Sequence, residues 1–199
     1  MEEKTPQAPE EETALPKKEA EKKETPRQAA YDWLESLVSA IAVCILIFIF
    51  VFRIVNVDGT SMVPTLQDYD KIVITRMKSP KSYQNGDIVV LTKETFGETS
   101  IVKRIIATEG QTIDIDFDAG IVYVDGEALD EPYIAEPTNR RLDFIGEQVV
   151  PQGCVFCMGD NRNNSTDSRR NTIGMIDTRC ILGKVIFRIW PLHSIGGIR

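Results

Sequence analysis

Seventeen consecutive residues from Ser36 to Phe52, SLVSAIAVCILIFIFVF, carry no charge. Few environments accept such a run. A helix of roughly 17 to 25 apolar residues spans the hydrocarbon of a bilayer. A buried core helix this uniformly apolar would need a larger protein around it. A cleavable leader would be shorter and would end in a small-x-small pattern, which the following FRIVNVDG does not offer. Tyr31 and Trp33 before the run and Arg53 after it suit the two interfaces, where aromatic rings settle and a long basic side chain can snorkel. The expectation is one uncleaved transmembrane helix over residues 33–54. Lys17, Lys18, Lys22, Lys23 and Arg27 precede it, against Arg53 shortly after it. By the positive-inside tendency the N-terminus stays in the cytoplasm and residues 55–199 lie outside the cell membrane.

Residues 1–32 are rich in Glu, Lys, Pro and Ala, with no aromatic residue before Tyr31. Such a segment buries too little apolar surface to offset the entropy of ordering, and reads as a disordered charged tail. The formal charge of the chain is -7, and neither the tail nor residues 55–199 is basic, so nucleic acid is not an expected partner. Cys154 and Cys157 form a CxxC, but no second CxxC and no suitably spaced histidines accompany it. They also fall in a strand-like run, where positions three apart face opposite sides. Neither a local disulfide nor a shared metal is expected.

Residues 55–199 read as mainly β. Alternating or β-branched runs recur at Lys71–Thr75, Asp87–Leu91, Ser100–Ile106, Thr112–Asp116, Ile121–Val124, Cys154–Met158 and Ile181–Trp190. Turn signals separate them, among them Asn85-Gly86, Asp118-Ala-Gly120 and Asp125-Gly126. The expectation is a barrel-like antiparallel β domain, with residues 117–150 as a smaller inserted β subdomain.

Three stretches carry candidate chemistry. The turn DGTSMVPTLQDYD, Asp58 to Asp70, presents Ser61 just beyond the apolar run. A nucleophilic serine needs a base, and the one histidine, His193, sits near the C-terminus. The other base for a serine is a lysine kept neutral. Lys103 lies in the run Ser100-Ile-Val-Lys-Arg-Ile-Ile106 and shares a strand face with Ile101 and Ile105, while Arg104 points to the other. That surrounding would depress an amine, whose free pKa is near ~10.4, by disfavouring its charged form. The pattern alone also fits a charge that protects an edge strand. The third stretch, Gly159-Asp-Asn-Arg-Asn-Asn-Ser-Thr-Asp-Ser-Arg169, is too polar for a core, and is either solvated or internally hydrogen-bonded.

Together, Ser61-Met-Val-Pro-Thr-Leu66, Gly86-Asp-Ile-Val-Val90, Val102-Lys-Arg-Ile-Ile106 and Gly159 to Arg169 resemble, in order and spacing, the motifs of the bacterial type I signal peptidases. These are membrane-anchored serine proteases that remove signal peptides from exported proteins. The resemblance covers residues 33–192 and is closest to the single-span branch. It implies Ser61 as nucleophile and Lys103 as general base, with Ser165 orienting the Lys103 amine. It implies that Asp167 pairs with Arg169, and that Asp160 and Arg162 hold the Gly159 turn. The Ser61 backbone N–H would form the oxyanion hole. Gly59 stands where another branch has a serine that supplies a second donor, so here that donor would be backbone or water. Membrane-bound preproteins and the lipid bilayer are the implied partners, with no metal or organic cofactor. The substrate would add as an extended strand beside Ser61 and Asp87. The alternative from another class is a membrane-tethered β module that binds exported peptides without cutting them.

Overall fold

The computed structural model describes residues 25–75, 82–92 and 100–198; the expectation of disorder for residues 1–24 lies outside these. Helix α1 runs from Pro26 to Val51 and is long and apolar enough to cross a membrane. Its first turn is set by Pro26, whose missing N–H costs nothing there, and by Thr25, whose hydroxyl accepts from the Gln28 N–H at 3.4 Å. The helix thus begins before the expected boundary at residue 33, and residues 26–32 are helical rather than part of a tail. It also stops before residue 54, because Phe52–Asn56 is already paired as a strand.

Twelve strands follow among the described residues: β1 (Phe52–Asn56), β2 (Lys71–Thr75), β3 (Ile88–Leu91), β4 (Ile101–Thr108), β5 (Thr112–Asp116), β6 (Ile121–Val124), β7 (Glu127–Ala128), β8 (Gln148–Val149), β9 (Cys154–Met158), β10 (Ile176–Asp177), β11 (Ile181–Trp190) and β12 (Gly196–Gly197). The larger sheet has the order β1-β2-β11-β3-β4-β9-β10, with β12 on β11, and every pairing is antiparallel. Register shifts in the β11–β2, β11–β3 and β4–β9 pairings add local bend and twist, which curl the sheet as expected while leaving it open between β1 and β10.

Strand β4 lies between β3 and β9, which pairs with it from Arg104 onward, and Lys103 is buried, so it is not a solvent-facing edge charge. Its two faces belong to different cores. Ile105 packs with Val89, Leu91, Val155 and Cys157, while Val102 packs with Ile88, Val90, Met62 and Leu66. Cys154 and Cys157 likewise join opposite cores, as their spacing in a strand requires.

The smaller sheet, β7-β6-β5-β8, fills the connection between β4 and β9. It starts at Thr112 rather than at 117, because β5 pairs with β6 over its whole length. Ile113, Ile115, Val122, Val124 and Phe144 pack directly on Ile106, Phe156 and Met158 of the larger sheet. The Phe144 ring stands edge-on to both Phe117 and Phe156 at 5.9 Å. The inserted segment therefore shares its core with the larger sheet.

Candidate active site

The turn after β1 brings Ser61 to Lys103. Met62 and Leu66 are buried in the core beside β3 and β4, which seats the turn. Ser61 Oγ and Lys103 Nζ stand 2.6 Å apart, and the amine also donates to the Val102 carbonyl at 3.0 Å. Lys103 is only 3% exposed. Burial brings its pKa from 10.5 down to about 8, against the opposing pull of the Asp167 and Asp160 charges. Cys157 lies on the same face, and burial raises its thiol pKa further from ionisation. His193 is exposed in the 3-10 turn Leu192–Ser194 and takes no part in this pair.

The loop Gly159 to Arg169 is ordered by charge. Asp167 and Arg169 form a wholly buried pair at 2.9 Å, and Asp167 also accepts from the Gly159 N–H at 3.1 Å. Burial alone would raise the Asp167 pKa, but the Arg169 guanidinium outweighs it and holds the carboxyl below its usual range. Arg169 reaches on to the carbonyls of Arg140 and Arg162. Arg162 donates from Nε to the Gly159 carbonyl at 3.1 Å. Asp160 does something else: it takes the Arg104 guanidinium in a two-point contact at 2.8 and 2.7 Å and accepts from the Thr65 hydroxyl. The Arg104 guanidinium carbon lies 3.9 Å from the centre of the Tyr133 ring.

Ser165 is buried at the site but does not orient the amine. Its hydroxyl makes no hydrogen bond of ordinary geometry, although it lies near enough to Asp167 to help keep that carboxylate ionised. The Lys103 amine is held instead by Ser61 and Val102. Gly159 explains how close these groups are. A Cβ added there would overlap both the Ser61 carbonyl and the Ser165 hydroxyl. Gly159→Ala should therefore push Ser61 off Lys103 and cut kcat by roughly 10²-fold, the cost of about an ångström of misplacement. Unchanged kcat in a folded Gly159→Ala variant would show that the contact relaxes without moving the serine.

Gly59 is not a free donor. Its N–H donates to Asp68 Oδ1 at 2.9 Å, and its φ of 93° suits glycine. The Ser61 N–H, by contrast, donates to no group among the described residues. Three further contacts join the serine turn to the polar loop. The Asn161 N–H donates to the Ser61 carbonyl at 3.0 Å, the Asn161 amide to the Thr60 carbonyl at 3.1 Å, and the Asn164 amide to the Thr60 hydroxyl at 3.2 Å. These asparagines, with Arg104, Thr65 and Glu131, were not singled out from sequence. Arg104 and the asparagines lie inside the recognised motifs, whereas no local signal marks Glu131.

Among the described residues, one strand edge beside the pair is open. Residues Ile101 to Lys103 pair with β3 on one side, whereas β9 reaches only as far as Met158 opposite Arg104 before turning away at Gly159. The Asp87 segment offers no such edge, since Gly86 and Asp87 already exchange backbone hydrogen bonds with Ile105.

Comparison with known proteins shows which family the chain is similar to. The family described as signal peptidase, peptidase S26, matches residues 30–190. The signal peptidase I of Bacillus amyloliquefaciens is 34% identical over 89% of this chain and 97% of its own. That of Bacillus licheniformis is 30% identical over 88% of this chain and 96% of its own. The probable signal peptidase I-1 of Synechocystis sp. is 35% identical over 86% and 88%.

Proposed function

Since the chain belongs to the S26 family of signal peptidases, we propose that it is a membrane-anchored serine endopeptidase that removes signal peptides from preproteins through a Ser61–Lys103 dyad. The observation that carries the dyad is the 2.6 Å contact between a serine hydroxyl and a buried amine whose pKa has fallen to about 8.

The neutral Lys103 amine accepts the Ser61 proton as Oγ attacks the scissile carbonyl. The Ser61 N–H stabilises the oxyanion, and the ammonium then gives its proton to the departing amine. Water, activated by the same amine, releases the acyl group. The preprotein adds as a strand along the open Ile101–Lys103 edge, which brings its carbonyl to the serine with main-chain register. Helix α1 anchors the enzyme with the N-terminus cytoplasmic and the catalytic domain outside. Confining enzyme and preprotein to one surface raises their effective concentration.

The test is cleavage of a peptide spanning a small-x-small export site by the full-length protein in detergent, with the cut located by mass spectrometry. One cut after the small residue is expected, at an EDTA-insensitive rate. The base must be neutral, so kcat/KM should be low below the pKa, rise through about pH 8 and level off above it. A folded protein that cuts nothing, or whose rate falls as pH rises through 8, would overturn the reading.

A further inference from the structure

Two buried arginines and two acids meet behind the serine turn. Arg104 grips Asp160, and Arg162 grips Glu131 of the inserted segment at 2.8 and 2.6 Å. Asp160 lies two residues from Arg162 in the same loop, and its charge acts on that guanidinium. We propose that Glu131 is a positioning residue for the reaction. By occupying the Arg162 fork it aims Nε at the Gly159 carbonyl and leaves Asp160 to Arg104 and Thr65. This rests on the reading of Ser61 and Lys103 given above.

The geometry leaves Arg162 little choice. A guanidinium is a rigid planar fork, and with Nη1 and Nη2 both held by Glu131 its orientation is fixed so that Nε meets the Gly159 carbonyl at 3.1 Å. Glu131 is itself fixed by the Tyr133 hydroxyl at 3.0 Å, and Thr138 Oγ1 accepts from Arg162 Nη1 at 2.9 Å. The segment around them is tied to the same loop. The Ala135 N–H donates to the Asp160 carbonyl at 3.2 Å, and Asn163 accepts from the N–H groups of Asn139 and Arg140.

Removing the Glu131 charge leaves a buried cation that must find another acid. Turning Arg162 to Asp160 would release the Gly159 carbonyl and divide Asp160 between two guanidiniums. Gly159 abuts the Ser61 carbonyl, so the displacement reaches the nucleophile. The Ile101–Lys103 edge, where the peptide adds, is untouched.

The experiment measures kcat and KM separately for Glu131→Gln in the peptide assay, with wild type and Ser61→Ala beside it. The expected result is a kcat lowered roughly 10- to 100-fold with KM within about twofold, since misplacement acts on the chemical step and not on binding. Should Glu131→Gln fail to fold, Thr138→Val removes the other Nη1 partner without changing charge, and its kcat should fall severalfold at constant KM. A folded Glu131→Gln, or failing that Thr138→Val, with wild-type kcat overturns the proposal, as does a raised KM at unchanged kcat. If wild type itself does not cut, or Ser61→Ala still does, the dyad reading fails, and this proposal with it.

Discussion

Lys103→Met should lower kcat/KM by about 10³-fold or more while making the protein more stable at neutral pH. A positioned general base contributes typically 10²- to 10⁴-fold, and here one amine serves as base in the attack and as acid for the leaving group. Ser61→Ala should lose as much, and the double variant little more, because the two act as a unit. The stability gain follows from linkage. The amine has a pKa of about 8 when folded and 10.5 when free, so below pH 8 both states are protonated and folding bears the full cost of burying the charge. Between pH 8 and 10.5 the unfolded chain binds more protons, and stability rises with pH. Relative to a neutral side chain of similar length, the protonated amine costs roughly 3 kcal/mol near pH 7. Thermal or urea unfolding of wild type and Lys103→Met across this range checks the sign. A Lys103→Met variant that is inactive and also less stable at pH 7 would mean that the lysine is structural.

The second large effect is on stability. Asp160→Ala should destabilise the protein by about 3 to 5 kcal/mol, because it takes a two-point carboxylate contact away from a buried guanidinium. Arg104 is 1% exposed, and Asp160 meets its guanidinium at two points, beside the Gly86 carbonyl at 2.8 Å, the Thr65 hydroxyl at 3.5 Å and the Tyr133 ring. The urea midpoint should fall at unchanged slope. The Asp177–Arg179 pair is the internal control. It is largely solvent-exposed, so Arg179→Ala, which leaves the Asp177 cap in place, should leave the midpoint almost where it was. Equal shifts for the two variants would show that Arg104 finds a new partner or reaches water.

Much of the fold was legible because strand alternation is a local signal. Lys71–Thr75, Thr112–Asp116, Ile121–Val124, Cys154–Met158 and Ile181–Trp190 are strands with the expected ends. The strands that escaped notice, β7, β8, β10 and β12, have two residues each, too few to show a period, and β1 was absorbed into the apolar run. Lys103 could be placed on a face with Ile105 from spacing, but its burial depended on β9 pairing alongside β4, a contact across the whole inserted segment. From its residues the polar loop read as either solvated or internally hydrogen-bonded, and its partners were not legible. Ser165 was expected on the amine and makes no such bond, while Asp160 went to Arg104 rather than to the Gly159 turn. Each of those choices depends on how two distant segments meet.

The connection between β4 and β9 is, in outline, one hairpin grown very long. A deletion that joined Thr108 to Cys154 by a short turn would spare both strands, the serine and the lysine, and on paper would give a smaller protease. It would also remove the acid that neutralises Arg162 and the ring that covers Arg104. Shortened forms, whether natural or engineered, must therefore change Arg162 or supply it a new acid from elsewhere, and must cover Arg104 again. Loop length at this point is bound to the charge of residues far away in the chain, and trimming it one residue type at a time leads through unstable intermediates.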